Sequence, residues 1–255
     1  MIATLEGTRA TERRADLASA PSPAPPVVLI GAVAPLGDDG RVSAIDKRPA
    51  PAPWRIGPFG LAGDAQADLK HHGGPEKALH HYPLDHYAFW EREIGPNPLL
   101  RRPGAFGENF STTGWTEANV CVGDIVRFGS ALLQVSQGRQ PCWKLNRRFS
   151  RKDMAVLLQS SGRAGWYYRV LEPGVAEPGD VLQLVDRPCP EWSLERLYLL
   201  LYRNTGDREG FAAMTALAEL AENWRALAKR RLASGKVEDW RERLYGDSVP
   251  GEAKG

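Results

Sequence analysis

The sequence predicts an α+β protein that is mainly β, with a barrel-like sheet domain followed by a small helical domain. Short apolar runs broken by Gly and Pro fill residues 27–188, a pattern typical of an antiparallel barrel or folded sheet. After Pro188, apolar residues recur at helical spacings. The 255 residues are 42% hydrophobic and 25% charged, as in globular proteins. The expected divisions are a flexible N-terminal tail (1–26), the sheet domain (27–188), a helical domain (189–246) and a flexible C-terminal tail (247–255).

Each strand is predicted from an apolar run with a defined stop. The first 26 residues end in PSPAPP and contain few large apolar side chains, so order should begin at a buried strand within 27–37. A hairpin is expected where strands at 124–128 and 131–136 are joined by a Gly-Ser turn. A last strand should lie within 178–188, where a proline ends it.

Two helices should interrupt the strands, and three helical stretches should follow them. Pro83 suits the first turn of a helix that ends at Gly95, and Ser150 suits the N-cap of a helix that ends at Gly162. The stretches beyond the sheet domain are 193–203, 210–235 and 238–246. These roughly sixty residues are too few for a comfortable core of their own. They should therefore dock on the sheet domain or on a second subunit, which makes a homodimer possible.

Composition and charge narrow the class of function. The formal charge of +2 gives no support for bulk nucleic-acid or membrane binding, and the basic run LAKRRL (227–232) is best interpreted as a solvated helix face. No apolar run approaches the length of a membrane span, and the N-terminus lacks an export signal. The three cysteines form no CxxC pair, so neither a disulfide framework nor a zinc ribbon is expected. These features predict a cytoplasmic protein.

All five histidines lie in one stretch, DLKHHGGPEKALHHYPLDHY (68–87). Zinc sites on helices place His at i and i+4, and this stretch has no such pair. In an extended chain, His80 and His81 would point to opposite faces and could not easily hold one ion. The two glycines after His72 permit φ > 0 and would suit a loop that wraps a ligand, but Gly-Gly in a loop is more often only a turn. His86 is expected on the surface or on a helix face.

Cys142 is the candidate nucleophile or metal ligand. It lies in SQGRQPCWKL (136–145), after a proline that fixes the backbone. Nearby cations lower the pKa of a thiol and favour the thiolate, which is both a nucleophile and a soft metal ligand. Cys121 and Cys189 lack such a setting and are interpreted as small buried hydrophobes. The cations that surround Cys142 in the sequence are Arg139, Lys144, Arg147 and Arg148.

Four short motifs lie in a fixed order along the sheet domain. They are HGGP (72–75), HYP (81–83), GEN (107–109) and SQGRQPCWKL (136–145). Together they resemble the MOSC-domain family, in its YiiM-like branch, over about residues 28–188. The helical part resembles the three-helix domain that follows in that branch. One departure is Gly138, where relatives often carry proline.

The resemblance implies a MOSC-type, β-barrel-like fold that binds a molybdenum-pterin cofactor, with Cys142 as metal ligand and catalytic residue. It also implies that N-hydroxylated compounds, such as 6-hydroxylaminopurine, are reduced to amines, which detoxifies base analogues. Because the pterin ends in a phosphate, cations and hydrogen-bond donors should bind it. The expected cofactor-binding residues are Lys47, His72, Gly73, Lys77, His81, Asn109, Arg139 and Lys144.

The sequence has no flavin or iron–sulfur motif, so electrons should come from a separate reductase, which we expect to be a flavoprotein. Glu108 is either a proton donor or, as we prefer, a carboxylate that stabilises its turn. MOSC domains are also associated with pyridoxal phosphate, which is not expected here.

Three other functions stay open at this point. The first is a cofactor-free thiol enzyme with Cys142 as nucleophile and His72 or His81 as base. The second is a carrier of sulfur or of the molybdenum cofactor without turnover. The third is a nucleic-acid binder that uses the basic run 227–232, for which salt-dependent DNA affinity would be the sign.

Overall fold

The computed structural model describes residues 20–67 and 73–246, and it confirms a sheet-rich domain followed by helices. The strands within these residues are β1 (Val27–Gly31), β2 (Ala34–Pro35), β3 (Val42–Ser43), β4 (Lys47–Pro49), β5 (Trp54–Gly57), β6 (Gly60–Leu61), β7 (Leu79–His81), β8 (Phe110–Ser111), β9 (Ile125–Phe128), β10 (Ala131–Gly138), β11 (Trp166–Glu172), β12 (Gly174–Ala176) and β13 (Gln183–Asp186).

Eight strands form the main sheet, in the order β13-β9-β10-β11-β7-β8-β1-β4, with β13 and β4 at its edges. Neighbouring strands are antiparallel except β7 and β8, which pair in parallel. A second sheet holds β12, β5 and β6, and a third holds β2 and β3. The predicted hairpin is confirmed, because β9 and β10 pair with Phe128 opposite Ala131 across a two-residue turn.

The first predicted strand is shorter than the apolar run suggests. β1 ends at Gly31, where a Cβ atom would lie 2.4 Å from the carbonyl oxygen of Ala44. Only glycine permits this close approach of the two chain segments. The chain then resumes as β2, which pairs with β3 instead of β4.

The helices are α1 (Tyr87–Ile94), α2 (Lys144–Arg148), α3 (Met154–Ser161), α4 (Leu194–Tyr202), α5 (Arg208–Thr215), α6 (Glu222–Ser234) and α7 (Arg241–Tyr245). Short 3₁₀ helices span Pro75–Lys77, Leu84–His86 and Pro98–Arg101. The helix predicted after Pro83 is confirmed, with a 3₁₀ first turn and an end at Gly95.

The predicted N-cap at Ser150 is wrong. Ser150 has a φ of 50°, and α3 begins only at Met154. The backbone N–H of Ala155, in the first turn of α3, donates instead to Oδ1 of Asn146 at 2.7 Å. A side chain from the preceding helix thus performs the capping that the sequence assigns to a neighbouring serine. The other end is as predicted, because Gly162 ends α3 with a φ of 70°.

The C-terminal helices pack on the sheet domain and share its core. Trp166 of β11 and Trp224 of α6 belong to one buried cluster. The stretch 210–235 holds two helices instead of the expected one, because the Ala221 N–H donates to the Ser136 carbonyl of the sheet at 2.8 Å. The expected stretch 193–203 contains α4, and the expected stretch 238–246 contains the five-residue α7, so the described residues after the sheet domain hold four helices.

The basic run 227–232 faces solvent only in part. Lys229 is exposed and lies 3.7 Å from Glu222. Arg231 is buried and donates to the Leu201 carbonyl at 2.8 Å and to both oxygens of Glu238. Burial opposes ionisation of Glu238, but the bonds from Arg231 lower the pKa of this carboxyl to about 2. Arg231 is therefore a structural residue.

The first described residues pack against the sheet, so the predicted N-terminal tail is too long. The Ser22 carbonyl accepts a bond from the Trp115 indole at 2.8 Å, and Ala24 pairs with Leu182 through two backbone bonds. Within the described chain, none of the helices has the length and apolar character needed to cross a membrane. The rest of the two predicted tails lies outside the described residues, at 1–19 and 247–255.

Candidate active site

A cavity of about 550 Å³, including its open mouth, is lined in part by the loop that follows β10. This size suits a small molecule or cofactor. Five of the eight predicted cofactor-binding residues line it, and four of these are cations, which favours an anionic ligand. The basic and amide side chains in its wall are Lys47, Lys77, His80, Asn109, Arg139 and Lys144, together with Gln66.

Lys47 and Asn109 form one buried network with Asp64. Lys47 Nζ donates to both Asp64 oxygens at 2.6 Å. Asn109 Nδ2 donates to Asp64 at 2.8 Å and to the Leu29 carbonyl at 3.1 Å, and its Oδ1 accepts from the His80 N–H at 3.0 Å. Burial lowers the pKa of Lys47, although Asp64 opposes this effect. Protein acceptors thus engage both N–H groups of Asn109, which lines the cavity, and its expected contact with the pterin stays a prediction.

Arg139 is a buried cation in the wall of the cavity. The residue is 6% exposed, and its Nη1 atom is buried without a hydrogen-bond partner among the residues that the structure describes. A buried guanidinium nitrogen in this state costs free energy unless a ligand accepts a hydrogen bond from it. The position of Arg139 in the cavity wall therefore points to an anionic or oxygen-bearing ligand there.

Cys142 lies beside this cavity, in the loop between β10 and α2, and is 8% exposed. It is not itself one of the lining residues. Burial raises the pKa of Tyr167, a lining residue; the charge of Arg139 opposes this rise, and the charge of Cys142 adds to it. Cys142 and Arg139 thus both lie within electrostatic range of the Tyr167 phenol.

Two of the four cations expected around Cys142 are used elsewhere. Arg147 pairs with Asp39 at 2.6 Å. Arg148 donates to the backbone carbonyls of Ala105 and Gly104 at 2.7 and 2.8 Å. Of these four cations, Arg139 and Lys144 line the cavity. Lys144 differs from Arg147 and Arg148 because α2 directs successive side chains to different sides.

His80 belongs to the cavity, and strand geometry places it there. The prediction that His80 and His81 face opposite sides is confirmed, because β7 pairs with β11 in the register His80↔Tyr167 and His81↔Trp166. Tyr167 and His80 both line the cavity. Burial, and next the charge of Arg139, hold the pKa of His80 well below its usual range. Its ring is therefore neutral near pH 7.

His81 does not reach the cavity, which corrects its predicted role in cofactor binding. Its ring is completely buried, with its centroid 4.3 Å from that of Trp166. Nδ1 lies 3.1 Å from the Tyr168 hydroxyl, and Nε2 lies 2.9 Å from Thr112 Oγ1. Burial lowers the pKa of His81 to about 3. His81 is a hydrogen-bonded core residue, and it cannot be the base of a thiol enzyme.

We expect His81 to make the protein less stable in acid. Between pH 6.5 and about 3 the unfolded chain binds a proton that the native ring does not bind, so the free energy of unfolding falls as the pH falls. From pH 7 to pH 5 this group alone should remove about 2 kcal/mol. Urea unfolding of His81→Gln at the two pH values should show a pH difference smaller by this amount.

Tyr168→Phe is the matched control for this prediction. It removes a hydrogen bond to the same ring but leaves the titrating group in place. Its free energy of unfolding should be lower at both pH values, with the wild-type pH difference retained. The prediction is wrong if His81→Gln keeps that difference as well.

Glu108 stabilises its turn, as preferred from the sequence. Its carboxylate is completely buried and accepts bonds from the N–H groups of Gly104 and Phe106, at 2.6 and 3.0 Å. The Tyr87 hydroxyl donates a third bond at 2.7 Å. With its oxygens engaged in this way, Glu108 holds the GEN turn and is not placed to transfer protons in the cavity.

The predicted ligand-wrapping loop is described only in part. His72 lies outside the described residues. Gly73 is described but does not line the cavity. Gly74 has a φ of 95°, which confirms that this glycine pair supplies a conformation open mainly to glycine. Gly74 precedes the 3₁₀ helix Pro75–Lys77, whose last residue, Lys77, lines the cavity.

A second concavity, of about 1000 Å³ including open space, lies between the sheet domain and α4. His86 and Glu117 line it and form a buried pair at 2.6 Å. The other Glu117 oxygen accepts a bond from the Gly165 N–H at 2.8 Å. Of the two placements expected for His86, the surface is wrong, because the ring is buried against Glu117. His86 lies in the 3₁₀ helix Leu84–His86 that leads into α1.

Comparison with known proteins assigns the chain to a family. The model of the MOSC domain matches residues 68–183, and that of the YiiM-like 3-alpha helix domain matches residues 192–235. Protein YiiM of Escherichia coli (strain K12) is 43% identical over 209 residues, which cover 82% of this chain and 92% of that protein. The chain belongs to the YiiM-like family of MOSC-domain proteins.

A solved structure and a second relative are also similar to this chain. The crystal structure of YiiM from Escherichia coli superposes with a TM-score of 0.75 at 35% identity and covers 89% of this chain and all of that one. A protein of Gibberella moniliformis (strain M3125 / FGSC 7600) named "Reductase" is 38% identical over 223 residues. This match covers 86% of the present chain but only 39% of the fungal protein.

Proposed function

We propose that this chain is a molybdenum-cofactor-dependent reductase that converts N-hydroxylated compounds to amines. The observation that carries the proposal is the cationic cavity beside Cys142, in which Arg139 Nη1 lacks a partner among the described residues. Support also comes from the family, since MOSC domains are associated with the molybdenum cofactor and one relative is named a reductase.

The residues present fit a molybdenum-pterin cofactor. The pterin ends in a phosphate, and Arg139, Lys77 and Lys144 offer charged donors to it. Lys47 contributes less net charge, because Asp64 lies 2.6 Å away. The thiolate of Cys142 would be the protein ligand to the metal.

When bound, molybdenum supplies two-electron redox chemistry at oxygen. The residues of the chain would bind the cofactor and orient it. Cys142 is 8% exposed, so bulk water has little access to its sulfur. Neutral His80 can donate one ring proton in a hydrogen bond, whereas Arg139 keeps its charge. The buried network of Lys47, Asp64 and Asn109 keeps its part of the cavity wall rigid.

The overall reaction is a two-electron reduction that needs an external electron donor. The N–O bond of the hydroxylamine breaks, two electrons and two protons are consumed, and the amine and water form. A separate electron-donating reductase supplies the electrons, and we expect it to be a flavoprotein. The substrate class includes 6-hydroxylaminopurine, so the activity would detoxify base analogues.

The test compares protein made in a host that synthesises the molybdenum cofactor with protein from a host that does not. The first should contain stoichiometric molybdenum and reduce 6-hydroxylaminopurine when a flavoprotein reductase is supplied. The second should do neither. Full activity without metal would instead support the cofactor-free thiol enzyme. Cofactor binding followed by transfer to another enzyme, without turnover, would support the carrier.

A further inference from the structure

A residue of α7, outside the sheet domain, bonds to the loop that carries Cys142 on both sides of the cysteine. The guanidinium of Arg243 donates to the carbonyl oxygen of Pro141 through Nη1. The carbonyl oxygen of Arg243 accepts the N–H of Trp143 at 2.8 Å. Arg243 therefore bonds to the residue before Cys142 and to the residue after it.

These two bonds restrict the orientation of the cysteine. Proline has no N–H, so its carbonyl is the one backbone group of Pro141 that can be anchored by a hydrogen bond. A charged donor on that oxygen fixes the peptide plane that leads into Cys142. The second bond fixes the plane that leaves it. With both planes fixed, the direction of the Cys142 side chain depends mainly on its one side-chain torsion next to the backbone.

Arg243 is itself anchored. Its Nη2 atom donates to Gln159 Oε1 of α3 at 2.6 Å. The next carbonyl of α7, that of Leu244, accepts a bond from Asn146 Nδ2 at 2.8 Å. After α7, Gly246 lies so close to Trp143 that a Cβ atom would meet its ring at 3.0 Å. The helix and the cysteine loop thus form one packed unit.

A five-residue helix is too short to persist alone, so α7 owes its conformation to these contacts. α7 also lies beyond residues 192–235, the part matched by the three-helix family model. The other side of the loop is supported by α4, where the Tyr198 hydroxyl accepts the Arg139 N–H at 2.6 Å. Gly138 makes this contact possible, because a Cβ atom there would lie 2.6 Å from the same hydroxyl.

We infer that Arg243 is a positioning residue that presents the Cys142 thiol to the cofactor cavity. The inference rests on the proposed function in assigning Cys142 to the metal, but the positioning itself is a property of the cofactor-free chain. Loss of the guanidinium should free the Pro141 carbonyl and loosen the loop locally. Cys142 should then be more open to reagents and should retain the cofactor less well.

The experiment measures how fast iodoacetamide alkylates each cysteine in cofactor-free full-length protein, by peptide mass spectrometry. Arg243→Met keeps the apolar stem and removes the donors. We expect Cys142 to react about tenfold faster in this variant, which corresponds to loss of a hydrogen bond from a charged donor. Arg243→Lys, which keeps one donor, should fall between that variant and the wild type.

Two controls separate positioning from general stability. Arg241→Met removes a cation of the same helix that is exposed and pairs with Asp239, and it should leave the Cys142 rate unchanged. The alkylation rate of Cys189 in the same samples reports general loosening and should stay at the wild-type value. An unchanged Cys142 rate in Arg243→Met, or equal rises at Cys142 and Cys189, would overturn the inference.

Molybdenum content forms the second readout. Arg243→Met made in a cofactor-competent host should hold less molybdenum than Arg241→Met made in the same way. If wild-type protein holds no molybdenum, the proposed function fails, and the alkylation rates still decide whether Arg243 positions the loop. If wild-type protein is loaded and both variants retain equal metal, the positioning role fails and the proposed function stands.

Discussion

Replacement of Cys142 by serine is expected to abolish molybdenum retention and N-hydroxylamine reduction together. Serine keeps the size of the side chain, but its hydroxyl is a hard, weakly acidic group and a poor replacement for a thiolate ligand. Substitutions outside the ligand sphere already cost roughly 10- to 100-fold in metal affinity, so loss of the ligand itself should cost more than about 100-fold. Metal analysis and 6-hydroxylaminopurine turnover on the same preparation measure the two effects.

Cys189→Ser is the control for this experiment. Cys189 is partly buried, its Sγ lies 3.3 Å from Glu219, and burial followed by that carboxylate raises its thiol pKa to about 12. It is therefore a protonated thiol near neutral pH and should be dispensable for metal binding. Wild-type molybdenum content and turnover in Cys142→Ser would show that the assignment of the metal ligand is wrong.

Replacement of Arg139 by glutamine should produce the second largest effect. Glutamine keeps hydrogen-bonding ability but removes the charge from a buried cation in the cavity wall. A hydrogen bond from a charged donor contributes about 1.5–3 kcal/mol, so cofactor retention should fall roughly 10- to 100-fold. Molybdenum content after extensive dialysis, compared with the wild-type protein, measures the loss.

Arg127→Gln tests whether this loss is specific to the cavity. Arg127 is an exposed residue of β9 and does not line the cavity. The two variants carry the same change in net charge, so a general electrostatic effect would weaken retention in both. Equal retention by Arg139→Gln and Arg127→Gln would show that Arg139 does not hold the anionic end of the cofactor.

Features set by local chemistry could be predicted from the sequence. The hairpin of β9 and β10 follows from two apolar runs around a Gly-Ser turn, and Gly95 and Gly162 end their helices because glycine adopts conformations that other residues avoid. The sequence also predicted that Lys47, Lys77 and Arg139 belong to one site, because the family resemblance assigns residues from distant segments to the same cofactor. All three line the cavity.

Features set by tertiary register could not be predicted in this way. Because side chains alternate along a strand, those of His80 and His81 in β7 must point to opposite faces of the sheet. Only the pairing of β7 with β11 decides which of the two reaches the cavity. The sequence likewise offers no sign that Asn146, and not Ser150, caps α3. Asp64, which neutralises Lys47, lies far from it in the chain and follows a glycine in an ordinary turn sequence.

The most direct test is X-ray absorption spectroscopy at the molybdenum edge of the cofactor-loaded protein. The spectrum of the wild-type protein should show one sulfur ligand more than the pterin itself supplies. That ligand should be absent from whatever metal-loaded Cys142→Ser protein can be prepared. A wild-type metal centre whose sulfur ligands all come from the pterin, or an identical spectrum in the two proteins, would contradict the placement of Cys142 on the metal.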